Sequence, residues 1–370
     1  MPLRTPLTSI PADLVCASDY QRYARAHLDT NALAYLDGGA ADELTCHANL
    51  QAWQEWSLLP RVLRDLRGGH TRCQIMGDML EHPVVLAPVA YQHLFHEEGE
   101  RAVALAAGVM GGAAVLSSFA STRLEDVIEC ATGPLWFQLY WQGDGETTLA
   151  LAERAAAAGY RALVLTVDAP VSGVRNREQR EGFKLPPGVS AVNIVDPARP
   201  VELVAGASPV FDGLLAQAPR WDEVAWLCRH SRLPVLLKGI LHPADAELAM
   251  RSGAAGVVVS NHGGRVLDSQ LTASRMLPAI RRVLGRDATL LVDGGICRGT
   301  DVLKAIALGA DAVMVGRPYI YALAVAGSLG VAHLLRGLRE ELEMAMALCG
   351  CRTLADIDDQ LLLSARDGTR

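Results

Sequence analysis

From residue 83 onward the chain repeats one pattern. Short runs rich in Val, Ile and Leu fall at 84–88, 114–118, 135–139, 162–166, 234–238, 256–260, 289–293 and 312–315. Longer alanine-rich segments with apolar positions at helical spacing follow them, as at 99–110, 146–159, 243–253 and 300–309. Strands that are apolar throughout need cover on both faces, which parallel strands beneath a layer of helices provide. Eight such units over roughly 250 residues predict an α/β fold, a closed (β/α)8 TIM barrel. An open doubly wound sheet would ask for a glycine-rich fingerprint after an early strand, and the chain has neither GxGxxG nor GxxxxGK[ST].

Several stretches depart from the repeat. Residues 1–80 read as a helical lead-in, with helices predicted at 19–27 and 30–37, ahead of a barrel over 83–320. Residues 176–220, rich in Pro, Gly and Ala, form a long excursion between the fourth and fifth strands, a length typical of a lid. Residues 327–347 read as one long closing helix, so 1–370 is expected to be a single barrel domain. The most membrane-like stretch, 102–120, is interrupted by Gly108, Gly111, Gly112, Ser117 and Ser118. It is predicted as a buried helix that turns at Gly111 and Gly112 into a buried strand, not a membrane span.

Composition narrows the function classes. The 370 residues carry 34 Lys+Arg against 41 Asp+Glu, a net charge of −7, with half the residues apolar and a fifth charged. That balance allows a large core and, without a run of consecutive basic residues, argues against a nucleic-acid surface. Eight cysteines without a CxxC motif fit neither a disulfide scaffold nor structural zinc, and suggest a reduced, cytoplasmic setting. The first fifteen residues lack the apolar run of a signal peptide.

In a barrel, the C-terminal ends of the strands point into one cavity. Here those ends read Pro88-Val89-Ala90, Ser117-Ser118, Gln138-Leu139-Tyr140, Thr166-Val167-Asp168, Lys238-Gly239, Ser260-Asn261-His262, Asp293-Gly294-Gly295 and Gly316-Arg317. Buried polar groups without partners cost about 1–3 kcal/mol each, so stability alone does not ask for this ring. A cavity for a polar, anionic ligand does. The glycines after the seventh and eighth strands, with Arg317, suit a phosphate. His262 stands beside Arg265, and Arg175 could join Arg265 in holding a carboxylate while Asp168 orients the ring. Lys238 is open to three readings: a Schiff-base nucleophile, an anion partner or an ion-paired core lysine. His27, His47, His70, His82, His230, His242 and His333 read as structural. His93 and His96 lack a third metal ligand nearby and read as solvated, so no metal site is expected.

Phe137-Gln-Leu-Tyr140, Leu165-Thr-Val-Asp168, Leu237-Lys-Gly239, Val259-Ser-Asn-His-Gly-Gly-Arg265, Val292-Asp-Gly-Gly295 and Val315-Gly-Arg-Pro318 together resemble the FMN-dependent α-hydroxy-acid oxidases and dehydrogenases, over residues 19–355. This resemblance implies FMN as cofactor and the oxidation of an (S)-2-hydroxy acid of lactate, mandelate or glycolate type to the 2-oxo acid. Residues 87–92 and 137–141 look most like the hydroxymandelate oxidases. By the same resemblance His262 takes the substrate proton, paired with Asp168. Arg175 and Arg265 clamp the carboxylate, aided by Tyr35, and Tyr140 contacts the hydroxyl or developing carbonyl. Lys238 would sit at the flavin's N1–O2 edge. Ser117, Gln138, Thr166 and Ser260 would bond the ring and ribityl chain, and backbone at Val89 and Ala90 would approach N5. Asp293, Gly295, Gly316 and Arg317 would serve ribityl and phosphate. Electrons would pass from FMN to O2 or another acceptor. The sequence leaves open whether hydride leaves Cα or Cα is deprotonated. Family members often assemble as tetramers, which implies a homo-oligomer.

The departures carry information too. Cys297 replaces an arginine expected at the FMN phosphate, and Arg298 is the candidate to compensate. Val89 stands where several members have threonine. Phe119, often tryptophan, reshapes the substrate pocket, with Tyr91 on the same rim, which argues for a side chain larger than glycolate's. Two rivals remain: a Schiff-base aldolase built on Lys238, and a flavin-binding protein without turnover.

Overall fold

The computed structural model describes residues 4–194 and 206–364. Eight parallel strands close into a barrel: β1 (Val84–Leu86), β2 (Ala113–Ser117), β3 (Leu135–Leu139), β4 (Leu163–Thr166), β5 (Val235–Ile240), β6 (Gly256–Val259), β7 (Thr289–Asp293) and β8 (Ala312–Val315). Each pairs with its sequence neighbours, and β8 returns to β1 through Val313 and Val84. Predicted and observed strand limits agree within two residues at each end.

Side chains alternate across each strand, and this alternation builds the site. The outward set, including Leu86, Leu116, Phe137, Leu165, Leu237, Val259, Val292 and Val315, packs under the helices. The inward set begins with an apolar plug of Val85, Ala87, Val115, Trp136, Val164, Leu236, Val258, Leu291 and Met314. One further step of two along the strands reaches Val89, Ser117, Gln138, Thr166, Lys238, Ser260, Asp293 and Gly316. The polar ring is thus the next inward layer above a dry core, as the strand-end argument required.

A hairpin of Cys73–Ile75 and Asp78–Leu80 contributes Ile75 and Leu80 to the same plug. The lead-in forms helices Ala17–His27, Thr30–Asp37 and Leu44–Ala52. The second matches its predicted limits, and its cap is Asp29, which accepts from the Ala32 N–H at 2.8 Å. The first starts two residues early because Asp19 accepts the N–H groups of Val15 and Cys16. In the 176–220 excursion the described residues form a short helix, Asn176–Arg180, and turns at Pro209–Gly213 and Leu214–Gln217; residues 195–205 lie outside the described residues.

The 102–120 stretch is a helix, Gly99–Val109, running into β2. The terminal helix Arg317–Cys349 is long and apolar enough to cross a membrane by length and composition, but most of it is buried and it breaks at Ala326 and Gly327. The predicted closing helix begins at that break. The solvated reading of His96 is overturned: the ring is buried against the break, with Nδ1 accepting from the Glu98 N–H at 3.1 Å. His93 is half-buried, 3.3 Å from the Thr122 hydroxyl.

Candidate active site

The strand tips line a cavity of about 1920 Å³. On one side runs an unbroken amide and hydroxyl chain. Ser117 Oγ donates to Gln138 Oε1 at 3.2 Å, and Gln138 Nε2 donates to Thr166 Oγ at 3.1 Å. Opposite them, Lys238 Nζ pairs with Asp293 at 2.9 Å and donates to Ser260 Oγ at 2.9 Å. Burial alone would lower the Lys238 ammonium, but Asp293 and Asp168 outweigh it and hold it above the ordinary lysine value. A Schiff-base lysine needs a free amine to attack, whereas Lys238 is held by Asp293 and Ser260, which fits the anion-partner reading better than the aldolase one. Ser260 itself is fully buried beneath Lys238, and its hydroxyl also accepts the His262 N–H at 3.0 Å.

The phosphate end is backbone-rich. Gly295 (φ 81°) lies so close to the Asn49 carbonyl that no side chain could fit there. Gly316 caps the N-terminus of the helix that starts at Arg317, a natural place for an anion. The Arg317 guanidinium is already engaged, donating to the carbonyls of Leu36 (2.9 Å), Gly263 (2.9 Å) and Gly38 (3.1 Å). Cys297 lines the cavity with its thiol pushed up to about 12 by burial. Arg298 does not line the cavity. Its side chain is half-exposed and turns away to Glu341 at 3.0 Å, because its backbone caps the helix Gly299–Ala307.

These residues fit FMN. The amide–hydroxyl chain suits the hydrogen-bonding edge of a flavin ring, a buried cation faces it, and Asp293 Oδ1 is buried without a protein partner. The glycine turns with the helix N-terminus suit a phosphate.

The pair His262 and Asp168 stands above. His262 Nδ1 lies 2.8 Å from Asp168 Oδ1, and His262 Nε2 lies 3.5 Å from the Tyr140 hydroxyl. Burial raises the Asp168 carboxyl, but the charges of His262 and Lys238 overcome this and leave it below its ordinary value. Gly239 (φ 105°) makes room: a Cβ there would fall 2.4 Å from Asp168 Cγ. His262 is itself left-handed (φ 57°), strain of a kind found at working sites.

Arg175 and Arg265 line the same cavity as His262 and Tyr35. Arg265 is anchored by the Tyr35 and Gly38 carbonyls at 2.7 and 2.6 Å and stacks over the Tyr35 ring at 5.0 Å. Burial and the neighbouring Arg175 push its guanidinium down to about 10. Phe119 stacks on Tyr140 at 5.1 Å and on Tyr91 at 6.1 Å, giving an aromatic wall.

The structure therefore gathers Tyr35, Val89, Ala90, Ser117, Phe119, Gln138, Tyr140, Thr166, Arg175, Lys238, His262, Arg265, Asp293, Gly295, Gly316 and Arg317 around one cavity. Asp168 and Ser260 sit behind this surface as supports. Two residues went unread in the sequence. Glu178, 3.4 Å from both Arg175 and Arg265, was signalled only by its three-residue spacing from Arg175. Phe183, stacked on Tyr35 at 5.0 Å, had no sequence signal because it lies in the excursion.

Comparison with known proteins agrees with this geometry. Residues 24–364 match the family model described as FMN-dependent dehydrogenase. An L-lactate oxidase of Alicycliphilus denitrificans is 48% identical over 97% of this chain and 99% of the relative. A 4-hydroxymandelate oxidase of Amycolatopsis orientalis is 44% identical over 92% of this chain and 96% of the relative. A mandelate oxidase crystallised with (S)-2-phenylpropionate superposes with a TM-score of 0.86 at 42% identity, covering 94% of this chain and 98% of that one. A barrel whose inward polar layer fits a flavin, matched along nearly its whole length, makes this chain a member of the FMN-dependent dehydrogenase family, with FMN as its cofactor.

Proposed function

We propose that the protein oxidises (S)-2-hydroxy acids with apolar side chains, aryl ones included, to 2-oxo acids, with O2 as the final acceptor and H2O2 as the second product. The observation that carries this reading is the convergence of His262, backed by Asp168, with Arg175 and Arg265 in one cavity beside Tyr140. FMN, when bound, would supply a two-electron acceptor that O2 reoxidises, and the two hydrogens removed from the substrate end in H2O2.

The chain's own residues do the rest. Arg175 and Arg265 hold the substrate carboxylate, and Tyr140 meets the hydroxyl. His262 Nε2 accepts the substrate proton, and the Asp168 carboxylate 2.8 Å from Nδ1 stabilises the imidazolium that forms. The low-lying Asp168 carboxyl stays ionised across the neutral range, as this role needs. Ser117, Gln138, Thr166 and Lys238 would hold the flavin ring, and the Gly295 and Gly316 turns its phosphate. Phe119, Tyr91 and Tyr140 favour an apolar substituent on the substrate. The lactate and hydroxymandelate oxidases among the relatives support both substrate sizes.

The eight free thiols support a cytoplasmic setting, and the family resemblance supports a homo-oligomer, for which we propose a tetramer. Incubating holoenzyme with each enantiomer of lactate and mandelate, and with glycolate, under air tests the reading by peroxide release. Peroxide from the (S) forms is expected. Reduction of the flavin without peroxide would shift the acceptor away from O2, and no reduction by any of these acids would overturn the assignment.

A further inference from the structure

Glu178 lies on the short helix Asn176–Arg180, three residues past Arg175, and this spacing turns its carboxylate back over that guanidinium. One oxygen, Oε1, lies 3.4 Å from Arg175 Nη1 and 3.4 Å from Arg265 Nη2. Both contacts sit at the outer limit of hydrogen bonding, and neither is bidentate. Among the described residues the Arg175 guanidinium makes no hydrogen bond besides this weak one to Glu178, and the side chain lines the cavity, so donors remain for another anion. The three side chains are 16–19% exposed, so their charges are only partly screened.

The clamp thus contains two cations and one anion of its own. A substrate or product carboxylate placed on the same guanidinium groups comes within a few ångströms of the Glu178 carboxylate and is repelled by it. Resting on the reading of Arg175 and Arg265 as the carboxylate clamp, we propose that Glu178 sets the grip of that clamp by offsetting one of its two positive charges, so that the anionic product is released after oxidation. Glu178 is a positioning residue, since it touches the arginines and not the reacting atoms.

Holoenzyme is titrated with phenylglyoxylate and with its neutral amide, phenylglyoxylamide, following the visible flavin spectrum. Wild type is compared with Glu178→Gln, which keeps an acceptor oxygen and removes the charge, and with Glu178→Asp, which keeps the charge. In Glu178→Gln the carboxylate is expected to bind about tenfold more tightly (~1.4 kcal/mol) while the amide is unchanged. With (S)-mandelate, kcat falls relative to kcat/KM as product leaves more slowly. Glu178→Asp keeps the wild-type ratio. A purely structural Glu178 would move both ligands together. An unchanged carboxylate-to-amide ratio in Glu178→Gln, or a raised one in Glu178→Asp, overturns the role of Glu178 alone. A wild type that binds the amide as tightly as the carboxylate overturns the clamp itself.

Discussion

Asp168→Asn isolates one charge at the heart of the reaction. Asparagine keeps the size and an acceptor oxygen, so the 2.8 Å contact with His262 Nδ1 can persist, but the carboxylate charge opposite the forming imidazolium is lost. Asp168 is nearly buried, with a side chain 9% exposed, so water replaces little of that charge. Two unit charges about 4 Å apart attract by ~4 kcal/mol at an effective dielectric of about 20, and a hydrogen bond to a charged group nets about 1.5–3 kcal/mol. Loss of about 2–4 kcal/mol from the transition state slows flavin reduction about 30- to 1000-fold. Anaerobic stopped-flow mixing with (S)-mandelate reads the rate from bleaching of the visible flavin band. Flavin content and the Kd for phenylglyoxylate serve as controls for folding and for the clamp. Reduction at the wild-type rate with both controls intact would refute the stabilising role of Asp168.

Other perturbations reach the remaining parts of the account. Gly239→Ala introduces a Cβ 2.4 Å from Asp168 Cγ at a positive φ, so it should reproduce the slow reduction of Asp168→Asn and, with about 1–3 kcal/mol of strain, lower the melting temperature seen by circular dichroism. Cys297→Arg adds a cation at the phosphate end, where Arg317 is engaged with carbonyls and Arg298 turns away. The Kd of apoprotein for FMN, read by quenching of flavin fluorescence, should fall about tenfold. Phe119→Ala opens the aromatic wall, and KM for (S)-mandelate should rise about tenfold relative to that for (S)-lactate. Burial holds His82 down to about 4 from its ordinary 6.5, so the unfolded chain takes a proton that the folded one refuses. This contribution is complete above pH 6.5 and is lost as pH falls toward 4. Urea unfolding should show about 2 kcal/mol lost between pH 7 and 5 from this group, and His82→Gln should remove that part of the slope.

Periodicity made the barrel legible because strands covered on both faces leave continuous apolar runs, and the tips of those runs carry polar residues that a core would not tolerate. His262 and Arg265 were readable together because they share one strand end. Arg298 misled because sequence adjacency says nothing of direction: as the helix-capping residue, it projects away from the cavity to Glu341. His96 misled because its burial depends on a helix break 231 residues away, at Gly327. Glu178 and Phe183 belong to the excursion, where no period constrains side-chain direction, so their place against the clamp and Tyr35 emerges only from the folded chain.

The most direct trial of the account is anaerobic mixing of (S)-mandelate with wild-type holoenzyme and with His262→Ala of equal flavin content. The wild type should bleach rapidly, and the variant should hold its flavin yellow over the same interval. Fast bleaching of His262→Ala would contradict the assignment of His262 as the group that takes the substrate proton.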